Sequence, residues 1–158
     1  TSTACNNKLI HARIYHRMGL LHYQMGNYHP SLRVLEQALE VISLSHGCLI
    51  LQDTLSCISG IRDVSELVTE ISLAMARVYL SLGSIRDAKH AAKQGIEIVY
   101  NKKSSQVLFH KGLVVLGMVY EQQGRLDKAL SHYQQALAFQ QQRHNHHLGD
   151  HTSVAATI

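Results

Sequence analysis

Apolar residues recur along most of this chain at intervals of three, four and seven. That is the spacing of one face of an α-helix, not the alternation of a strand. The pattern repeats in register when Gly26, Gly83 and Gly124 are superposed, so that residues Tyr15–Tyr28, Ser72–Ile85 and Leu113–Leu126 align without gaps. Each stretch carries a large apolar residue followed by a small one: Met18-Gly19, Met75-Ala76 and Leu116-Gly117. His22, Tyr79 and Tyr120 follow three residues after the small one. The small residue lets a neighbouring helix backbone come close, and the ring fills the groove beside it. The glycine suits the left-handed conformation that ends a helix. A second helix then begins, with Leu35, Ala38 and Leu39 in the first unit matching Tyr133, Ala136 and Leu137 in the third. The middle unit has Ala88, Ala92, Gly95 and Ile96, its Ala88 matching Ala129. The expectation is an all-α chain of helix–turn–helix units at about 7–45, 65–101 and 104–143.

Between the first two units lies an insertion, about 46–64, holding Leu49-Ile50-Leu51, Cys57, Ile58 and Ile61. Its apolar content predicts an extended segment or an additional short helix packed on the stack. Asp63 three residues before Glu66 reads as a capping box, predicting that the next helix opens there and runs from near Val64 to Leu82. The last second helix is expected from about Leu126 to Gln142.

The residues just quoted resemble the tetratricopeptide repeat. Its pattern of an apolar residue with Gly, then Tyr, Gly, Ala, an aromatic and Ala-Leu is met best by Leu116-Gly117, Tyr120, Gly124, Ala129, Tyr133 and Ala136-Leu137. Ser31 stands where the first unit would have the small alanine. The resemblance implies an α-solenoid of antiparallel hairpins wound as a right-handed superhelix. Gly83 and Gly124 are 41 residues apart, longer than the usual period of about 34. With Gly149-Asp150-His151 and Val154-Ala155, this spacing is similar to kinesin light chain-type repeats, where such a stretch links one hairpin to the next. Residues 149–158 would then start a fourth unit, and with no initiating Met the chain reads as a piece of a longer protein.

Composition narrows the function classes. One proline and 46% hydrophobic residues favour a helical core over disorder. A net charge of +4 would point to nucleic acid if the basic residues clustered, but the longest basic run is Lys102-Lys103. Cys5, Cys48 and Cys57 form no CxxC pair and no zinc set, which favours a reducing, cytoplasmic setting. No stretch approaches the roughly 18 apolar residues that cross a bilayer. His144, His146, His147 and His151 are the densest set of metal-ligand types, but they lack partners at ligand spacing apart from Asp150 and read as linker. Gly112 to Gly117 begins like a phosphate loop, yet Met118 and Val119 stand where Lys and Ser or Thr are needed, so two packing positions are expected. No metal, cofactor or catalytic set is predicted, and the chain reads as a binding module, not an enzyme.

In the resembled family the first helix of each unit lines the concave face. Helical geometry assigns to that face Arg13, His16, Arg17, Leu20 and Tyr23; then Glu70, Leu73, Ala74, Arg77 and Leu80; then Lys111, Val114, Val115, Met118 and Glu121. The partner-binding candidates are Arg13, His16, Arg17, Leu20, Tyr23, Leu73, Arg77, Lys111, Val114 and Met118. Basic groups around an aliphatic floor suit a protein or peptide with acidic residues and aliphatic anchors, although ordinary solvated charges and inter-repeat packing would use the same residue types. Asparagine is absent from these positions, so neither a C-terminal carboxylate clamp nor the backbone-holding asparagines of kinesin light chain-type grooves carries over. The expected role is a protein-interaction module of a scaffold or adaptor. Alternatives are a single-stranded RNA reader, the recognition arm of a larger enzyme or motor, or self-association.

Overall fold

The computed structural model describes residues 2–49, 57–102 and 105–152, and side chains over 7–43, 64–100 and 105–141. Six helices account for the described chain: α1 (Ser2–Gln24), α2 (Tyr28–Leu49), α3 (Cys57–Ser81), α4 (Ile85–Lys102), α5 (Gln106–Gln122) and α6 (Leu126–Thr152). They pair as hairpins α1/α2, α3/α4 and α5/α6. The hairpins stack through α2 against α3 and α4 against α5, and the first helices touch in the order α1, α3, α5. This is a helical-repeat solenoid.

The three hairpins turn identically because each has a glycine where φ is positive: 78° at Gly26, 75° at Gly83 and 71° at Gly124. A Cβ would penalise that conformation. At each turn the glycine N–H reaches back three residues, as from Gly26 to Tyr23 O at 3.0 Å. The next N–H reaches back five, as from Asn27 to His22 O at 2.9 Å, and this pair of bonds closes the first helix.

Each hairpin is drawn together at its small residue. A methyl at Gly19 would stand 2.6 Å from the Leu35 side chain, and one at Gly117 2.5 Å from the Tyr133 ring. A methyl at Gly112 would collide with Ile96 across the α4/α5 junction. The Gly112–Gly117 stretch therefore lies mid-helix and serves packing. Ser31 is also accounted for: fully buried, it donates to the Gly19 carbonyl at 2.7 Å, joining α2 to α1.

The main core cluster holds Ala12, Leu35, Ala38, Ile42, Val64, Leu67, Ile71, Ala74 and Val78, and so welds the first hairpin to α3. Two smaller clusters tie α3 and α4 to α5, one around Leu73, Ala76, Ala92 and Leu116, the other around Leu80, Ala88 and Val119. Thr69, fully buried, donates to Ser65 O at 2.9 Å.

Three sequence expectations are corrected. Residues 46–49 continue α2 and 57–64 already belong to α3, so the described parts of the insertion lengthen two existing helices instead of adding one. Residues 50–56 lie outside the described chain. Asp63 does not open a helix, because α3 begins at Cys57. Likewise α6 continues to Thr152, through the Gly149–His151 stretch read as a linker; residues 153–158 lie outside the described chain. Met18 also differs from its counterparts. It is 41% exposed, whereas Leu116 is buried beneath the preceding hairpin.

Candidate binding cleft on the first helices

An open cleft of about 550 Å³ runs across α1, α3 and α5. Its walls are His16, Arg17 and Leu20 from α1, then Glu70, Leu73, Ala74 and Arg77 from α3. From α5 come Leu108, His110, Lys111, Val114, Val115 and Met118. Every lining residue comes from a first helix, because stacking sets these three helices side by side while the second helices occupy the other layer.

Eight of the ten candidates meet here: His16, Arg17, Leu20, Leu73, Arg77, Lys111, Val114 and Met118. Arg13 lies one turn away in a smaller recess with Glu66 and Leu67, which shares His16, Arg17 and Glu70 with the main cleft. Tyr23 lies outside the cleft, but its ring sits beneath the Arg77 guanidinium at 5.2 Å, a cation–π contact that positions Arg77 at the cleft edge. Leu73 is buried and belongs to a core cluster, so it supports the floor and offers little surface of its own. Leu80 is buried away from the cleft. Glu121 instead accepts a hydrogen bond from Tyr133 Oη at 2.8 Å, and burial together with that bond raises the Tyr133 phenol to about 12.

Leu108 and His110 are lining residues that the sequence reading missed. Both lie on the helical stripe already chosen, Leu108 three residues before Lys111 and His110 four before Val114, so extending that spacing by one turn would have found them.

The charge pattern is mixed. Arg17, Arg77 and Lys111 are exposed around the aliphatic floor, and Glu70 sets one carboxylate among them. His16 is buried, with Nδ1 3.9 Å from Glu70 Oε2. Burial lowers its pKa below the ordinary 6.5; Glu70 opposes the shift and Arg17 adds to it. Because the folded value lies below the unfolded one, this group contributes stability above about pH 6.5, which is lost as pH falls toward the folded value. Burial shifts His132 in the same direction. Thermal melting should therefore weaken between about pH 7 and about pH 5, and His16→Gln should flatten that slope. An identical slope in wild type and variant would remove His16 as a cause.

Among the described residues no group of three or more His, Cys, Asp or Glu side chains is placed to hold a metal. The histidines at 144, 146, 147 and 151 lie outside the described side chains. No helix is long and apolar enough to cross a membrane among the described residues.

Comparison with known proteins agrees with this architecture. Residues 11–43 and 110–142 each match a family profile of the tetratricopeptide repeat. They cover most of the α1/α2 hairpin and most of the α5/α6 hairpin. No curated protein matches the chain. Tetratricopeptide repeats generally mediate protein–protein interaction. Two stretches of the chain, 11–43 and 110–142, are thus similar to tetratricopeptide repeats, and the same glycine-closed hairpin is built three times.

Proposed function

We propose that the cleft across α1, α3 and α5 is the concave face on which this chain holds an extended segment of a partner protein, and that the segment carries acidic and aliphatic residues. The observation that carries this reading is the convergence of Arg17, Arg77 and Lys111, from three separate helices, around Leu20, Val114 and Met118 in one open cleft. Guanidinium groups form paired hydrogen bonds with carboxylates, and an aliphatic floor accepts an anchor side chain. The function is binding, not catalysis, within a scaffold or adaptor in a reducing compartment such as the cytoplasm. The 41-residue spacing of Gly83 and Gly124 supports a long-repeat variety similar to kinesin light chain repeats.

A selection from a random peptide display library on the purified chain tests the proposal. Enriched sequences should pair Asp or Glu with Leu, Ile or Val. The charge reversal Arg17→Glu/Arg77→Glu should weaken them by at least about tenfold, since loss of one good contact of this kind costs on the order of 1–2 kcal/mol. Enriched peptides without acidic residues, or equal binding by the variant, would refute it.

A further inference from the structure

Among the described residues that line the cleft, Glu70 alone is acidic. It faces both the main cleft and the smaller recess beside it. With its side chain 43% exposed, it has no part in the core. Nor does it steady its own helix. Three and four positions away on α3 stand Glu66, Leu67, Leu73 and Ala74, so no cation lies within reach along the helix. Glu66 is a like charge at a spacing where like charges repel. Among the described residues Glu70 meets one ion-pair partner, His16, whose Nδ1 is 3.9 Å away and so beyond hydrogen-bond reach. Burial keeps that imidazole largely uncharged at neutral pH, which leaves the carboxylate charge standing.

The repeat register shows how this charge is placed. Superposing the three turn glycines sets Glu70 on Arg13 of α1 and on Lys111 of α5. One position of the repeat therefore reads cation, anion, cation across three neighbouring first helices. Arg77 does not cancel the anion, because seven residues put it two turns along α3, roughly 10 Å away. It is held there over the Tyr23 ring. Lys111 stands at the equivalent height on the adjacent helix, and packed helices lie about 8–10 Å apart.

A segment that laid only acidic residues across this face would bring one of them against Glu70. Like charges set against each other at an interface are costly, whereas a cation at that point gains a charged partner. An extended chain advances about 3.3 Å per residue, so the step from α3 to α5 corresponds to about three residues.

We propose that Glu70 is a specificity-determining residue of the cleft, requiring a Lys or Arg in the bound segment about three residues from an acidic residue that meets Lys111. The segment thus carries both signs of charge around its aliphatic anchors, and a uniformly acidic peptide is selected against. This inference rests on the reading of the cleft as a peptide-binding face and adds to it the sign of charge at one place.

The random peptide selection, run in parallel on wild type, Glu70→Gln and Glu70→Lys, provides the test. Wild type should enrich peptides with Lys or Arg about three residues from Asp or Glu. Glu70→Gln should lose the preference for the cation and keep the acidic and aliphatic positions. Glu70→Lys should put Asp or Glu in its place. A reciprocal exchange then separates direct contact from a structural effect. Measured by fluorescence anisotropy with one enriched peptide, Glu70→Lys should weaken binding at least about tenfold, and changing the peptide's Lys or Arg to Glu should restore most of the loss. A merely structural role would give no such recovery. Acidic and aliphatic peptides without the cation, a cation still enriched on Glu70→Gln, or a failed exchange would overturn the role of Glu70 and leave the cleft reading intact. Enriched peptides without acidic residues would overturn both.

Discussion

Ile71→Ala is expected to lower the unfolding free energy by about 3 kcal/mol, whereas Ile14→Ala, the same change at the equivalent point of the repeat, is expected to cost less than about 1 kcal/mol. The residues are chemically identical and occupy the same register on α3 and α1; only their cover differs. Ile71 is fully buried in the main cluster, where Leu35, Ala38 and Ile42 of α2 meet Leu67, Ala74 and Val78 of α3. Truncation there removes buried methylene and methyl groups and leaves a cavity between two hairpins, and the cost includes both effects. Ile14 is half exposed, so much of its surface is already hydrated and no closed cavity forms. In a stack each hairpin is stabilised by its neighbours, so the loss at Ile71 weakens the first hairpin as well as α3. Urea midpoints compare the two. Equal losses would mean that the α1 face is covered in solution.

This contrast also shows which features sequence reading reaches and which it does not. The hairpin turns were legible because positive φ at Gly26, Gly83 and Gly124 demands glycine, and no other local requirement explains three glycines in register. The cleft was largely legible because helical periodicity fixes which residues share a face once the turns fix the phase. Burial of a given face was not legible, since it depends on what lies across from it. Met18 and Leu116 occupy one repeat position, yet only Leu116 has a preceding helix to cover it. Leu73 was read as surface for the same reason, although α4 and α5 enclose it. The helix ends failed on a different ground. Asp63 and Glu66 have the spacing of a cap, but a capping motif favours a helix start only where the preceding residues are not helical, and α3 already runs through them from Cys57. Gly149 is an unfavourable helix residue by about 1 kcal/mol, which α6 absorbs on its way to Thr152. Ser31 departed from the alanine pattern for a reason visible only in three dimensions, its bond to the Gly19 carbonyl.

Gly117→Val is expected to be the most damaging change to the third hairpin, lowering stability by about 3 kcal/mol through overpacking. Gly117 lies mid-helix on α5, buried under the Tyr133 ring, and even a methyl would stand 2.5 and 2.8 Å from ring carbons. The ring has limited freedom to retreat, because its hydroxyl donates to Glu121 on α5 at 2.8 Å and so ties its far end to the helix that the new side chain extends from. Gly19 makes an informative control. A methyl there meets the branched end of Leu35 at 2.6 Å, but Leu35 is fully buried among core residues and is held by packing alone. The two sites therefore resist for different reasons, and a second substitution separates them. Tyr133→Leu removes both the ring and its tether, so it should recover part of the loss in Gly117→Val, giving a coupling of at least about 1 kcal/mol in a double-mutant cycle. Differential scanning calorimetry of the four proteins measures it. Strict additivity would mean that valine at position 117 does its damage on α5 alone, with the close approach of α6 contributing nothing. A recovered coupling would locate the cost at the contact that draws α5 and α6 together. That contact also sets how α5 presents Lys111, Val114 and Met118 to the cleft, so peptide binding should weaken in Gly117→Val and return in part with Tyr133→Leu.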